Sequence, residues 1–86
     1  MYIICVYDVD AKRCTKLMKL LRRYLFHVQN SVFEGELTPA KYKELRLKVE
    51  SIIKDNDSVK FYYCYNNKQM YSSVLGETRN ISNIIK

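Results

Sequence analysis

The residues whose type and placement could do chemistry are one aspartate, one histidine, three cysteines and one run of cations. Asp8 closes the apolar stretch Tyr2-Ile3-Ile4-Cys5-Val6-Tyr7. A carboxylate at such a strand end more often serves a loop or caps a helix than reacts, and the nearby Asp10 is placed for the capping role. His27 is the only histidine, so a histidine acid–base pair is impossible within one chain; as a lone strand residue it reads as structural. Cys5, Cys14 and Cys64 are odd in number, widely spaced and form no C-x-x-C pair. That pattern argues against a disulfide framework and against a structural zinc site, and it fits a reducing cytoplasm.

The cations are more informative. The formal charge is +6, from 15 Lys and Arg against 9 Asp and Glu. Lys12, Arg13, Lys16, Lys19, Arg22 and Arg23 lie within residues 12–23 with no acid among them, so the whole excess sits in one segment and the remainder of the chain is balanced. A charged helix face is usually just solvated. Like charges at i,i+4, however, cost a helix stability, and a polyanion relieves that cost through phosphate contacts and counterion release. No base-reading motif accompanies the run: Phe61-Tyr62-Tyr63-Cys64-Tyr65 lacks the glycines and basic residue of an RNA-recognition sheet. Backbone binding with little sequence preference is the expectation.

These groups need elements to position them. Residues 2–8 are apolar at both parities, the pattern of a strand covered on both faces. Beyond Asp10, Cys14, Leu17, Met18, Leu21 and Leu25 form one apolar stripe of a helix, with Lys12, Lys16, Lys19 and Arg23 opposite. Residues 27–37 are strand material with a turn or bulge near Asn30-Ser31 and a kink at Gly35; one bent strand and a very short hairpin both fit. Thr38-Pro39 starts a second helix, with Leu37 and Tyr42 at staple positions and a core stripe of Tyr42, Leu45, Val49, Ile52 and Ile53. Asp55-Asn56-Asp57-Ser58 is a turn, residues 59–65 a further strand, and residues 70–75 a shorter element.

The order β-α-β(β)-α-β predicts an α+β fold, a ferredoxin-like βαββαβ sandwich of an antiparallel sheet with two helices on one face and an extra C-terminal strand. A chain of 86 residues is one domain, 1–86, and at this size it buries only about 60–65% of its unfolded surface. Strands 2–8 and 59–65 carry apolar residues on both faces, so the face without helices is expected to pack across a two-fold axis onto a second copy. No apolar run approaches the roughly 20 residues of a membrane span, and the N-terminus lacks signal-peptide features.

Gln29-Asn30-Ser31-Val32-Phe33-Glu34-Gly35-Glu36-Leu37 resembles the second-strand motif of the CRISPR-associated Cas-two family. The opening strand ending in Tyr7-Asp8, the Lys-Arg-rich helix, Asp57-Ser58 and the segment from Gly76 to Ile84 extend the likeness over essentially the whole chain. The resemblance implies a homodimer in which the tail, residues 76–86, packs on the partner protomer. It implies a role in capturing foreign DNA as spacers beside an integrase subunit, and magnesium-dependent endonuclease activity on RNA or DNA. Tyr7 and Asp8 match the active-site strand end, with Asp8 the catalytic, metal-binding carboxylate; Arg13 matches a basic residue, and Ser31 and Phe33 the second-strand motif. Cys14 and His27 stand where many members, or some, have basic residues. Two Asp8 carboxylates brought together by symmetry repel unless a cation lies between them, and Mg2+ binds through few carboxylates while keeping its waters.

The nucleic-acid contacts are expected from Lys12, Arg13, Lys16, Lys19 and Arg23, on double-stranded DNA and also single-stranded RNA. The competing readings are a DNA-binding adaptor without catalysis and a stand-alone ribonuclease toxin of the virulence-associated D type. A small-molecule regulatory domain is disfavoured by the charge.

Overall fold

The computed structural model describes residues 1–65 and 69–76. The elements run β1 (Tyr2–Asp8), α1 (Ala11–Arg22), β2 (Phe26–Gln29), β3 (Val32–Glu36), α2 (Pro39–Ile52), β4 (Ser58–Tyr65) and β5 (Gln69–Gly76). They form one antiparallel sheet in the order β2-β3-β1-β4-β5. The first four strands give the ferredoxin-like arrangement, and β5 adds an outer strand of eight residues, longer than the short element expected at 70–75.

Local chemistry sets the element ends. Asp10 caps α1, its carboxylate accepting the Lys12 amide at 3.0 Å. Thr38 caps α2 by accepting the Lys41 amide at 3.1 Å, and Pro39 opens the first turn, where no N–H is needed. Between the two strand possibilities for residues 27–37 the structure takes the hairpin: Asn30 turns with φ 37°, and a bulge lies between His27 and Gln29. Asparagine tolerates that left-handed backbone better than most residues. The expected kink at Gly35 is absent, since β3 pairs with β1 through Ile3–Gly35 without a register shift. Gly35 serves a close approach instead: a Cβ there would lie 3.2 Å from Leu25 Cδ2 and 3.6 Å from Leu25 Cα.

Both helices pack on one face of the sheet. Ile3, Cys5 and Tyr7 of β1, Phe33 of β3, Val59 and Phe61 of β4 and Leu75 of β5 meet Leu17, Leu20 and Leu21 of α1 and Tyr42, Leu45 and Val49 of α2. Leu20 joins this core although it falls outside the expected α1 stripe, whereas Cys14 and Met18 are only partly buried; the helix is rotated slightly from the predicted facing. Leu25 is buried just past the helix end. Burial lifts the Cys5 thiol to about 12, so it is a neutral apolar side chain of the core.

The other face carries Tyr2, Ile4 and Val6 of β1 in register with Glu36, Glu34 and Val32 of β3 and with Cys64, Tyr62 and Lys60 of β4. It is more mixed in polarity than the apolar parity of β1 predicts, yet Val6 is 37% exposed and Phe26 78%. The tail expected to cross to a partner, with Ile81, Ile84 and Ile85, lies outside the described residues, and Gly76 is the last residue of β5. No helix among the described residues is long and apolar enough to cross a membrane.

Candidate strand-end site and nucleic-acid interface

The pleat of β1 separates two neighbours in sequence. Tyr7 points into the helix-covered core, and Asp8 projects to the opposite, open face, where it pairs in register with Ser58 of β4. The Asp8 carboxylate is exposed and makes no hydrogen bond or ion pair with the described residues. Among those residues no three His, Cys, Asp or Glu side chains converge to hold a metal ion. A single exposed carboxylate is nonetheless a hard oxygen donor, and magnesium needs only one or two of these besides water and phosphate oxygens. As a single hard oxygen donor Asp8 fits that ion, and it could supply one of those ligands.

Tyr7, Ser31 and Phe33 are brought together beneath this strand end. The Tyr7 amide donates to the Ser31 carbonyl at 3.1 Å, and the Tyr7 and Phe33 rings lie 6.1 Å apart. Burial, with Cys14 alongside, raises the Tyr7 hydroxyl above its ordinary range. Tyr7 and Phe33 are buried and support the site from within, whereas Ser31 is half-buried. His27 stacks on Phe33 with centroids 4.6 Å apart, and its Nε2 lies 2.8 Å from the Asn30 carbonyl oxygen. It therefore sits on the Phe33 side of the sheet, away from Asp8.

The two-residue connection Val9-Asp10 is held from below by Asp57. This carboxylate, 1% exposed, accepts the amides of Asp10 and Lys54, each at 2.9 Å, and the Arg13 guanidinium through Nε at 2.5 Å and Nη2 at 3.0 Å. The Arg13 bonds are the main reason its carboxyl lies well below the usual range; burial alone would raise it. Two of the Arg13 nitrogens are thus committed to an internal partner, unlike the other cations of α1.

Lys12, Lys16, Lys19 and Arg23 are exposed on the outer side of α1, as their spacing predicts. A further cation stands beside them: Lys48 of α2 borders a cleft between the helices together with Lys16, Lys19, Leu20, Arg23 and Ser51. Neither Asp57 nor Lys48 stands out in the sequence. Asp57 reads as an ordinary turn residue until the fold brings Arg13 to it, and Lys48 lies in a helix whose acids, Glu44 and Glu50, hide any local excess of charge.

Residues 1–71 match the family model described as CRISPR associated protein Cas2. The chain is 49% identical over 77 residues to a protein of Thermotoga maritima named CRISPR-associated endoribonuclease Cas2, covering 88% of each. It is 39% identical over 87 residues to a Methanosarcina acetivorans protein of the same name, covering 99% of this chain and all of that one. Among solved structures it resembles one titled crystal structure of cas2, with TM-score 0.74, 46% identity and 83% of each chain covered. It also resembles Streptococcus pyogenes Cas2, with TM-score 0.70, 35% identity, and 78% of this chain and 89% of that one covered.

Proposed function

This chain belongs to the CRISPR associated protein Cas2 family, and from that premise we propose that it acts in CRISPR adaptation as a nucleic-acid-binding homodimer with a metal-dependent endonuclease centre at paired Asp8. The relatives' name, endoribonuclease, supports the hydrolytic part of this reading. The observation that carries it is the exposed Asp8 carboxylate on the open sheet face, free of described partners, one short turn before the helix that bears the chain's entire excess charge.

The division of labour follows from charge. The outer cations of α1 bind and orient backbone phosphates without reading bases. Asp8, together with the partner's equivalent carboxylate, would hold a magnesium ion. When bound, that ion supplies charge neutralisation at the phosphodiester and a nucleophilic water. Asp10 is occupied as a helix cap and Asp57 by Arg13, which leaves Asp8 as the carboxylate at this end of β1 without a partner among the described residues. Beyond cleavage, the dimer holds duplex DNA for an integrase subunit and serves spacer capture.

A second reading, adaptor without catalysis, is favoured by one observation: His27, the one histidine of the sequence, stacks on Phe33 on the opposite side of the sheet from Asp8. Purified wild type and Asp8→Ala, each with and without chelator, separate the two on RNA and DNA substrates. Chelator-sensitive cleavage lost in Asp8→Ala supports the nuclease. Cleavage that persists at the wild-type rate in Asp8→Ala sinks the assignment of Asp8. Absence of cleavage in both proteins, with spacer capture intact in both, leaves the adaptor.

A further inference from the structure

The cleft between α1 and α2 has a volume of about 310 Å³ and is lined by Lys16, Lys19 and Arg23 from one helix, Lys48 and Ser51 from the other, over Leu20 and Ile52. Among the described residues no acidic side chain lines it. We infer that this cleft is a seat for a backbone phosphate of duplex DNA, so that the binding surface spans both helices and Lys48 is part of it. The inference rests on the reading of α1 as a nucleic-acid surface and extends it to a second element.

Lys48 lines the cleft, and its ammonium is held by two groups at the cleft's edge. Its ammonium donates to the Tyr24 hydroxyl at 2.9 Å and lies 3.6 Å from Glu44 Oε2, and the Tyr24 hydroxyl in turn donates to that same carboxylate oxygen. Tyr24 and Glu44 thereby hold the lysine in place, and neither of them lines the cleft. The Tyr24 bond, aided by Glu44, raises the Lys48 ammonium above its ordinary range although Arg23 opposes it. Of the four cations around the cleft only Lys48 has a carboxylate beside it among the described residues, and an anion in the cleft relieves the repulsion among them. The Ser51 hydroxyl, which donates to the Lys48 carbonyl at 2.7 Å, can rotate to donate to a phosphate oxygen instead.

The ligand is a polymer and not a free ion because the cations continue beyond the cleft. Lys12, Lys16, Lys19 and Arg23 extend over roughly 16 Å at 1.5 Å per residue. That is the axial length of about five phosphates of one duplex strand, whereas a single phosphate occupies only the cleft.

The test is fluorescence-anisotropy titration of a 30-base-pair DNA duplex over a series of KCl concentrations. Lys48→Gln should weaken binding by roughly three- to tenfold and reduce the log–log salt slope by about one. Ser51→Glu, which places a carboxylate in the cleft, should weaken it further. Lys41→Gln is the control, because Lys41 neighbours the same Glu44 at 3.7 Å but does not line the cleft; it should bind like wild type. Thermal melts establish that each variant is folded, and Ser51→Glu decides if Lys48→Gln is not. Wild-type binding by Lys48→Gln and Ser51→Glu, with binding lost in a Lys16→Glu, Lys19→Glu, Arg23→Glu triple variant, overturns the seat and leaves the α1 surface standing. Equal weakening by Lys41→Gln and Lys48→Gln also overturns it, in favour of a diffuse field. Unaltered binding in every variant removes both readings. Inorganic phosphate that displaces the duplex only at ionic strengths where KCl does so equally supports a polymer-specific seat, and displacement at far lower concentration identifies a free-anion site and overturns it.

Discussion

Arg13, in the first turn of α1, and Asp57, the residue before β4, lie 44 positions apart in sequence and meet through two hydrogen bonds, Nε to Oδ2 at 2.5 Å and Nη2 to Oδ1 at 3.0 Å. Because Asp57 also accepts the amides of Asp10 and Lys54, one buried carboxylate ties the β1–α1 connection to the α2–β4 turn. The connection it holds begins directly after Asp8. Asp57→Asn keeps the size but removes the charge and one acceptor, leaving buried donors without partners, a loss of about 2 kcal/mol. For a domain of this size that lowers Tm by on the order of 10 °C. Arg13→Gln should also lower Tm, and the double variant should cost less than the two single losses together. A calorimetric scan in which Arg13→Gln melts like wild type would return Arg13 to the nucleic-acid surface.

The same pair sets a pH dependence whose sign is fixed. The folded Asp57 carboxyl is depressed relative to an unfolded aspartate near pH 3.9. Its contribution is therefore fully present above about pH 5 and is lost as pH falls below about 4 toward the folded value. Urea unfolding of wild type and Asp57→Asn from pH 7 to pH 2.5 should show a constant stability difference down to about pH 5 and a shrinking one below. A difference that stays constant into acid would mean that the charge of Asp57 is not what stabilises the turn.

The two glycines should respond differently to alanine. Gly76 has φ 87°, and a Cβ there would collide with the backbone carbonyl oxygen of Asp57, which cannot move without disturbing the Arg13 bonds. Left-handed backbone alone costs an alanine about 1–2 kcal/mol, and the collision adds to it. At Gly35 the nearest atom is the flexible end of Leu25, which can yield. Chemical denaturation should therefore rank Gly76→Ala well below Gly35→Ala in stability.

Much of this was legible in the sequence because it depends on neighbours in the chain. The Asp10 and Thr38 caps, the strand at residues 2–8 and the outward row Lys12, Lys16, Lys19 and Arg23 are set by spacing over a few residues, and the structure has them where spacing puts them. What escaped depends on contacts made through space. The hairpin at Asn30-Ser31 hinges on one positive φ that asparagine permits but does not demand. Gly35 looked like a kink because the close approach of Leu25 is invisible until β3 lies beside it. Arg13 carried the same local signature as Lys16 and Lys19, and only the folded position of Asp57 distinguishes them. Asp8 was placed at the strand end by the sequence, but its separation from His27 by the sheet required the strand order.

The proposed pairing of Asp8 across two protomers makes the open sheet face the part of the molecule most sensitive to a well-chosen charge. Ile4 lies at the centre of that face, in register with Glu34 on one side and Tyr62 on the other, and away from the helix-covered core. Ile4→Glu would set a second carboxylate beside Glu34, and directly opposed like charges destabilise a sheet pair only modestly. Buried in an interface between two copies, the same pair of charges would cost far more. The expected outcome is a folded monomer: far-UV circular dichroism retained, with sedimentation velocity at micromolar concentration giving a single chain where wild type gives two. Asp8→Ala should remain a dimer, since Asp8 is exposed at the rim of the face and its removal also removes a repulsion. If cleavage requires two Asp8 carboxylates, Ile4→Glu should lose it although Asp8 is untouched. A wild-type protein that sediments as a monomer, or an Ile4→Glu monomer that cleaves at the wild-type rate, would break the link between the open face and the strand-end site.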